Sequence, residues 1–407
     1  MADAVAVTGV GLVTPGGCDT ATNWAALCAG RSLAARNPAF AGLPVDISCD
    51  VRDFDAQQEL GPRLARRLDR FAQLGIAAAR RAVADADLSV PNGPPERVGV
   101  VLGVGSNSLR TYVEEFTRLG EGRPEAVSPL ALPRSVPNMV AGEIALDTGA
   151  RGPNFTVSSA CASGANALGV ARGLLLGGLC DVVLAGGAES WSRMTAVCFA
   201  QMRALSRRTE HPALASRPFD ADRDGFVLGE GAAVLVLERL TRARARGARS
   251  RALLSGYGSS ADACHPTSPH PEGDGAEQAV RQALADAGCA PDDVGHVNTH
   301  GTSTRLGDAA EARMLLRVFD RGGVPPVTAT KSVLGHALGA AGAVEAVVTV
   351  LSLQHQQVPP TANLTRQDPG HELDLVTGAP RRVGFDTALS TSFAFGGQNA
   401  ALVFSAC

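Results

Sequence analysis

The sequence predicts an α/β protein made of two similar halves. Three observations carry this. Short apolar runs closed by glycine alternate with helical patterns along the whole chain, as in sheets covered by helices. An Ala-rich helix end, Ala82-Val83-Ala84-Asp85-Ala86, recurs as Ala283-Leu284-Ala285-Asp286-Ala287, and each copy leads through a proline-containing turn toward an apolar run. With 407 residues, 45% of them apolar, the chain can build a large core without disulfide or metal staples.

The elements follow in order. Ala4–Gly9 is a valine-rich run stopped by glycine, and Val98–Gly103 has the same form. Arg63–Val83 between them has helical spacing of its apolar positions. A helix is expected from about Cys161 to Leu176, then strands at Asp181–Gly187, Ala232–Leu237 and Ala252–Gly256. Gly275–Ala287 repeats the helical pattern, and His296–His300 and Ala400–Phe404 read as buried strands. The Arg-rich stretch Arg242–Arg251 marks a boundary, dividing the chain into residues 1–250 and 251–407.

Several function classes are excluded. A net charge of −3 lacks the basic excess of a nucleic-acid binder. The start, MADAVAVTG, has no basic segment of a secretory signal. Arg172, Asp181 and Glu345 interrupt the apolar runs that come nearest to membrane-spanning length. None of the nine cysteines forms a C-x-x-C pair, so no metal site is expected, and all nine read as free thiols of a cytoplasmic protein. GVGLVT and GVGSNS are incomplete dinucleotide fingerprints, and no G-x-S-x-G surrounds a serine.

Four segments have the makings of chemistry. In Val157–Leu168 small residues crowd Cys161 at the start of a helix, where the dipole favours a thiolate; a buried structural cysteine is the alternative. In His296–Asp308 a strand ends at His300 and opens into a turn with Thr302 and Thr304. In Thr328–Glu345 stand His336 and Lys331, the only lysine of the chain. A compact ammonium does what arginine's planar fork cannot at a tight site. Glu311, on the helix after His300, is the expected counter-ion of Lys331. In Thr391–Ala400, Phe393 and Phe395 bracket Ala394 before Gly396-Gly397, which reads as a turn with either core aromatics or a substrate gate.

Together with Val7–Gly17 (VTGVGLVTPGG) and Arg217–Glu238 (RPFDADRDGFVLGEGAAVLVLE), these segments resemble the β-ketoacyl-acyl-carrier-protein synthases of the thiolase superfamily, in their elongating Cys-His-His form. The resemblance covers nearly the whole chain. It implies a thiolase fold, a five-layer α-β-α-β-α sandwich from two duplicated halves. Cys161 would be the nucleophile, His300 and His336 the catalytic histidines, and Lys331 with Glu311 the supporting ion pair. The N–H groups of Cys161 and Phe395 would form the oxyanion hole. Thr302 and Thr304 would hold the pantetheine arm, with Phe199, Phe393, Phe395, Gly396 and Ser106 around the acyl chain.

Initiating synthases replace one histidine by asparagine, thiolases use a second cysteine, and chain-length factors lack the nucleophile. The implied activity is an acyltransferase reaction, the decarboxylative Claisen condensation of a Cys-bound acyl chain with malonyl-acyl-carrier protein. Fatty-acid elongation and type II polyketide synthesis are both open, the latter with a chain-length-factor partner. A non-catalytic scaffold subunit is the alternative of another class. Departures fall around the substrate: Ala394 replaces a usual glycine, Gln398 a usual threonine, and Cys264 and Pro266 a usual tyrosine and methionine; Ser106, Asn107 and Ser108 are polar for an alkyl pocket. No cofactor is expected beyond the phosphopantetheine that delivers substrate. The expected partners are an acidic acyl carrier protein and a second ketosynthase-like subunit, identical or not. The carrier would dock on Arg63, Arg66, Arg67 and Arg70 and on Arg203, Arg207 and Arg208.

Overall fold

The apolar runs become strands buried on both faces. A computed structural model describes residues 4–90, 94–106 and 109–407. Its main sheet contains β1 (Val5–Val13), β2 (Val98–Gly103), β3 (Asn154–Val157), β4 (Val182–Glu189), β5 (Gly231–Arg239), β6 (Ala252–Ala261), β7 (His296–Asn298), β8 (Val327–Thr328), β9 (Thr387–Ala394) and β10 (Gln398–Ser405). Every residue of β1, β2 and β4 is buried. The helices that matter below are α1 (Pro62–Arg67), α2 (Arg70–Asp85), α3 (Leu109–Gly120), α4 (Met139–Thr148), α5 (Ser163–Leu176), α6 (Arg193–Gln201), α7 (Asp274–Ala287), α8 (Arg305–Val318) and α9 (Ala341–His355).

The strand order is β8-β7-β9-β10-β6-β1-β5-β4-β2-β3. Outward from the β1–β6 junction, one half runs β1-β5-β4-β2-β3 and the other β6-β10-β9-β7-β8. In both, the inner pairs are antiparallel and the outer pairs parallel. A short antiparallel ladder, Ala6 with Leu253 and Val7 with Ala252, joins them. Helices α5 and α9 pack on each other and on strands of both halves, while α2 and α4 cover the first half and α7 and α8 the second. This is the five-layer arrangement that the repeat and the resemblance imply.

The repeated Ala-rich helix ends have a packing reason. A Cβ at Gly11 of β1 would fall 1.9 Å from the Ala78 carbonyl oxygen of α2, and one at Gly258 of β6 would fall 2.1 Å from that of Ala279 in α7. Helix and strand backbones touch at the same place in each half, so both helices must be small-sided there.

Three details differ from the sequence reading. The helix expected over Arg63–Val83 is two helices, because Asp69 caps α2 through its side chain. The expected turn at Thr391–Ala400 is a hairpin in which β9 pairs with β10 up to Ala394 and Gln398. The strand at His296 ends at Asn298. Helix α9 with its preceding turn, Leu338–His355, is apolar and long enough to cross a membrane, but 89% of it is buried in the protein. Its place in the central layer accounts for its all-round apolarity.

Candidate active site

Cys161 lies in a single tight turn, Ala160–Ala162, directly before α5. Ala160 has φ +46°, a conformation that costs an alanine energy and persists only where the surroundings enforce it. Ser163 does the enforcing: its hydroxyl accepts the Ser159 N–H at 2.9 Å and donates to the Ala160 carbonyl at 2.6 Å. Small residues let the central helices meet, since a Cβ on Gly164 would lie 2.7 Å from the Ala343 nitrogen. The turn of Cys161 thereby rests on the turn Leu338–Ala340 that follows His336.

His300 stands two residues beyond β7. Its backbone N–H is 2.8 Å from Glu311 Oε1 and 3.0 Å from Thr391 Oγ1, and the Gly301 N–H donates to Glu311 Oε2 at 2.8 Å. Thr391 completes the set by donating to Glu311 Oε1 at 2.7 Å. Lys331 Nζ donates to the His300 carbonyl at 2.6 Å and lies 3.3 Å from His300 Nδ1. Its ion-pair partner is Glu345. The expected Lys331–Glu311 pair is therefore corrected: Glu311 spends its oxygens on the backbone that presents His300, and Glu345 of α9 neutralises the lysine. His336 is held by backbone bonds to Val227 and Gly229. Its ring lies 5.5 Å from that of His300 at 85°, and 5.2 Å from Phe226.

Burial governs the proton states. It pushes the Cys161 thiol up to about 12, with Lys331 opposing. Burial thus works against the helix dipole, which favours the thiolate. Burial, reinforced by Lys331, holds both His300 and His336 well below the usual imidazole range, so both rings are neutral at pH 7. Burial also raises Glu311 and Glu345 to about 7, and Lys331, by its charge and its hydrogen bond, draws Glu345 toward the ionised form. The resting site is a neutral thiol facing neutral imidazoles beside one buried ion pair.

The residues expected around the substrate gather at the same place. Thr302 and Thr304 hydroxyls are 2.9 Å apart. Phe393 lies 5.9 Å from the His300 ring, and Phe395 lies 6.1 Å from Phe199, which stacks edge-on with Phe226 at 5.1 Å. The Gly396 N–H is occupied by the Pro266 carbonyl at 2.7 Å, which pins the gate turn to the second loop. Ser106 donates to Glu189 Oε1 at 3.0 Å; Asn107 and Ser108 lie outside the described residues. Among the described residues no group of three His, Cys, Asp or Glu side chains is placed to hold a metal ion.

The expected docking arginines divide. Arg63 and Arg66 on α1, and Arg203 and Arg207, are exposed. Arg67 pairs with buried Glu143, and Arg70 with buried Glu230 at 2.9 Å. Both hold carboxylates that lie beneath the surface, while the Arg67 side chain stays 38% exposed and that of Arg70 25% exposed. Arg208 is turned back onto the Asp222 carbonyl at 2.8 Å.

Two buried acids escaped the sequence reading. Glu345 is the lone charge of an apolar helix, and such a charge needs a partner. Glu189 closes an apolar strand and accepts from the Gly105 N–H at 2.8 Å, the Gly339 N–H at 3.2 Å and Ser106. It clips together the loops on either side of Cys161.

Family models for the beta-ketoacyl synthase N-terminal domain and C-terminal domain match residues 2–243 and 251–365. The chain belongs to the beta-ketoacyl synthase family. A relative of this synthase named 3-oxoacyl-(acyl-carrier-protein) synthase 2, from Vibrio cholerae, is 41% identical over 98% of each chain. The solved ishigamide ketosynthase/chain length factor superposes with TM-score 0.94 at 33% identity, covering all of both chains. A type II polyketide acyl-carrier protein in complex with its ketosynthase bound to the hexaketide gives TM-score 0.93 at 29% identity, also at full coverage.

Proposed function

We propose that this ketosynthase elongates carrier-bound acyl chains by decarboxylative condensation with malonyl-acyl-carrier protein. The observation that carries the reading is the convergence of Cys161, His300, His336 and Lys331 from three separate segments into one buried, water-poor site. In the first half-reaction Cys161 Sγ attacks an acyl thioester while its proton passes to a neutral imidazole; the pantetheine sulfur–acyl bond then breaks and the departing sulfur takes that proton, leaving the imidazole neutral again. The backbone N–H groups of Cys161 and Phe395 stabilise the tetrahedral oxyanion; one such donor is worth about 3 kcal/mol. In the second, the malonyl unit loses carbon dioxide while the neutral imidazoles donate to the enolate oxygen; the enolate carbon attacks the acyl carbonyl on Cys161, the Sγ–acyl bond breaks, and the cysteine sulfur is released to be reprotonated. Thr302 and Thr304 hold the pantetheine arm, and the reaction needs no resident cofactor.

Exposed Arg63, Arg66, Arg203 and Arg207 are the docking residues for an acidic carrier in this reading. A second ketosynthase-like subunit covers the edge strand β3, where Phe155 is exposed, and the outer face of α3, where Val113, Phe116 and Leu119 are exposed. Unpaired edges and contiguous apolar surface call for such a partner. Intact-mass measurement with acyl-carrier donors tests the function. A Cys161-dependent adduct discharged by malonyl-acyl-carrier protein is expected; its absence from every donor, with partner subunits added, would leave the scaffold reading. Saturated donors accepted by the chain alone indicate fatty-acid elongation, and unsaturated donors accepted only with a partner subunit indicate polyketide synthesis.

A further inference from the structure

Trp191 occupies a position that neither the condensation chemistry nor the carrier docking explains. It follows β4 by two residues and precedes Ser192, the capping residue of α6. Its indole is fixed on two sides. Nε1–H donates to Asp50 Oδ1 at 2.8 Å, and that oxygen also accepts from Ser48 Oγ at 2.6 Å. The ring packs edge-to-face on Phe40, 4.8 Å away at 73°, and Phe40 is itself fully buried.

The indole lies between two unlike environments. On one side is the apolar cluster that Cys161 and Phe199 also pack against, built from Ala196, Leu205, Phe226 and Leu338. On the other is a cleft of about 540 Å³, half open to solvent at Arg66, Arg110 and Glu114, whose inner lining is largely polar and includes Arg70, Glu230, Asp69, Gln73 and Thr111. A large aromatic with a satisfied N–H is well suited to such a boundary, apolar on its face and polar at its edge.

We propose that Trp191 is the end wall of the acyl compartment and sets the longest apolar chain that Cys161 carries. This rests on the reading of Cys161 as the acyl-bearing nucleophile. A chain growing away from Sγ through the Phe199–Leu338 cluster meets the indole before it reaches the polar cleft. With the wall removed, a longer chain enters the cleft. There the ion pairs and amide favour a terminus bearing a hydroxyl or amide over a bare methyl, because buried polar groups lose free energy when left facing hydrocarbon.

The test uses the full chain and synthetic acyl-pantetheine thioesters of rising length, saturated or ω-hydroxylated, read by intact mass. In the loading step the pantetheine sulfur–acyl bond breaks, the Cys161 Sγ–acyl bond forms, and the thiol proton leaves on pantetheine, so each adduct adds the acyl mass less one hydrogen. Wild type is expected to load chains up to a limit. W191A should load the first length beyond that limit roughly tenfold faster than wild type, with the ω-hydroxy donor ahead of the saturated one, while W191F keeps the wild-type limit. A W191A profile that ends at the wild-type length overturns the proposal. Should W191A fail to load even short chains, W191M, which keeps an apolar side chain in the cluster, decides in its place by the same criterion. If wild type loads no donor of any length, the nucleophile reading itself fails and the wall with it.

Discussion

The partner of Lys331 can be decided by a double-mutant cycle. The lysine side chain is 3% exposed and that of Glu345 is 1% exposed, so removing one leaves a buried charge without its counterpart. Such a loss costs about 3–5 kcal/mol, whereas removing both leaves a cavity but no orphan charge. The structure therefore predicts that K331M and E345Q are each strongly destabilising and that K331M/E345Q is much less so than their sum. The coupling should be about 2–3 kcal/mol. For K331M with E311Q it should be smaller, about 0.5–1 kcal/mol, because Glu311 bonds the backbone of His300 and Gly301 and meets the lysine only through their shared partner His300. Urea unfolding of the singles and doubles, compared at a common slope, gives both couplings. Equal couplings, or a larger one for the 331–311 pair, would refute the assignment of Glu345.

Four further outcomes follow from the structure. With the Cys161 thiol held up at about 12, its alkylation by iodoacetamide, followed by peptide mapping, should still be climbing at pH 10, where an ordinary thiol has levelled off; a plateau near pH 8 contradicts the desolvated site. Burial lowers His296 to about 4, while its unfolded form titrates near 6.5. Between those values the unfolded chain binds more protons, so stability falls as pH drops. The advantage of wild type over H296N should shrink by about 3 kcal/mol from pH 7 to pH 4, measured by unfolding at both. Charge reversal at Arg63 and Arg66 should weaken carrier binding in a salt-dependent way while leaving the melting temperature within about a degree. Reversal at Arg67 and Arg70 should instead lower the melting temperature, because Glu143 and Glu230 lose their partners.

Much of this was legible in the sequence because motif residues and strand ends coincide. Cys161, His300, Lys331 and His336 stand where small residues and glycines punctuate apolar runs, and the fold brings those punctuation points together. What escaped was pairing. Glu311 and Glu345 both follow the relevant motifs closely, and spacing alone could not choose between them. Glu345 carries a signal, being the charge that interrupts an apolar helix, but in the sequence that charge argues equally against a membrane span. Glu189 was hidden in the same way at the end of an apolar strand. A helix N-terminus before Cys161 is visible in the sequence, whereas the depth of the thiol's burial, which opposes the dipole, is not. The break between α1 and α2 at Asp69 was missed because the apolar spacing continues across it. Beside that break Arg67 and Arg70 reach the buried Glu143 and Glu230, while Arg63 and Arg66 stay exposed.

A single lysine among 37 basic residues now has a geometric reason. Three acceptors converge on one nitrogen: the Glu345 carboxylate, the His300 carbonyl and His300 Nδ1. An ammonium carries three donors on one atom, while a guanidinium spreads five over a plane and cannot bring three to a point. The contact with Nδ1 has a chemical consequence. Lysine can only donate, so Nδ1 of the neutral ring must accept, and the ring proton is placed on Nε2. His300 then offers an N–H on the side away from the lysine, the donor that the proposed condensation assigns to the enolate oxygen. Glu311 fixes the backbone of that residue, Lys331 fixes its tautomer, and Glu345 keeps the lysine from adding net charge to a site whose other members are neutral. Arginine at 331 would disturb all three at once, which is why a chain that uses arginine everywhere else retains lysine here.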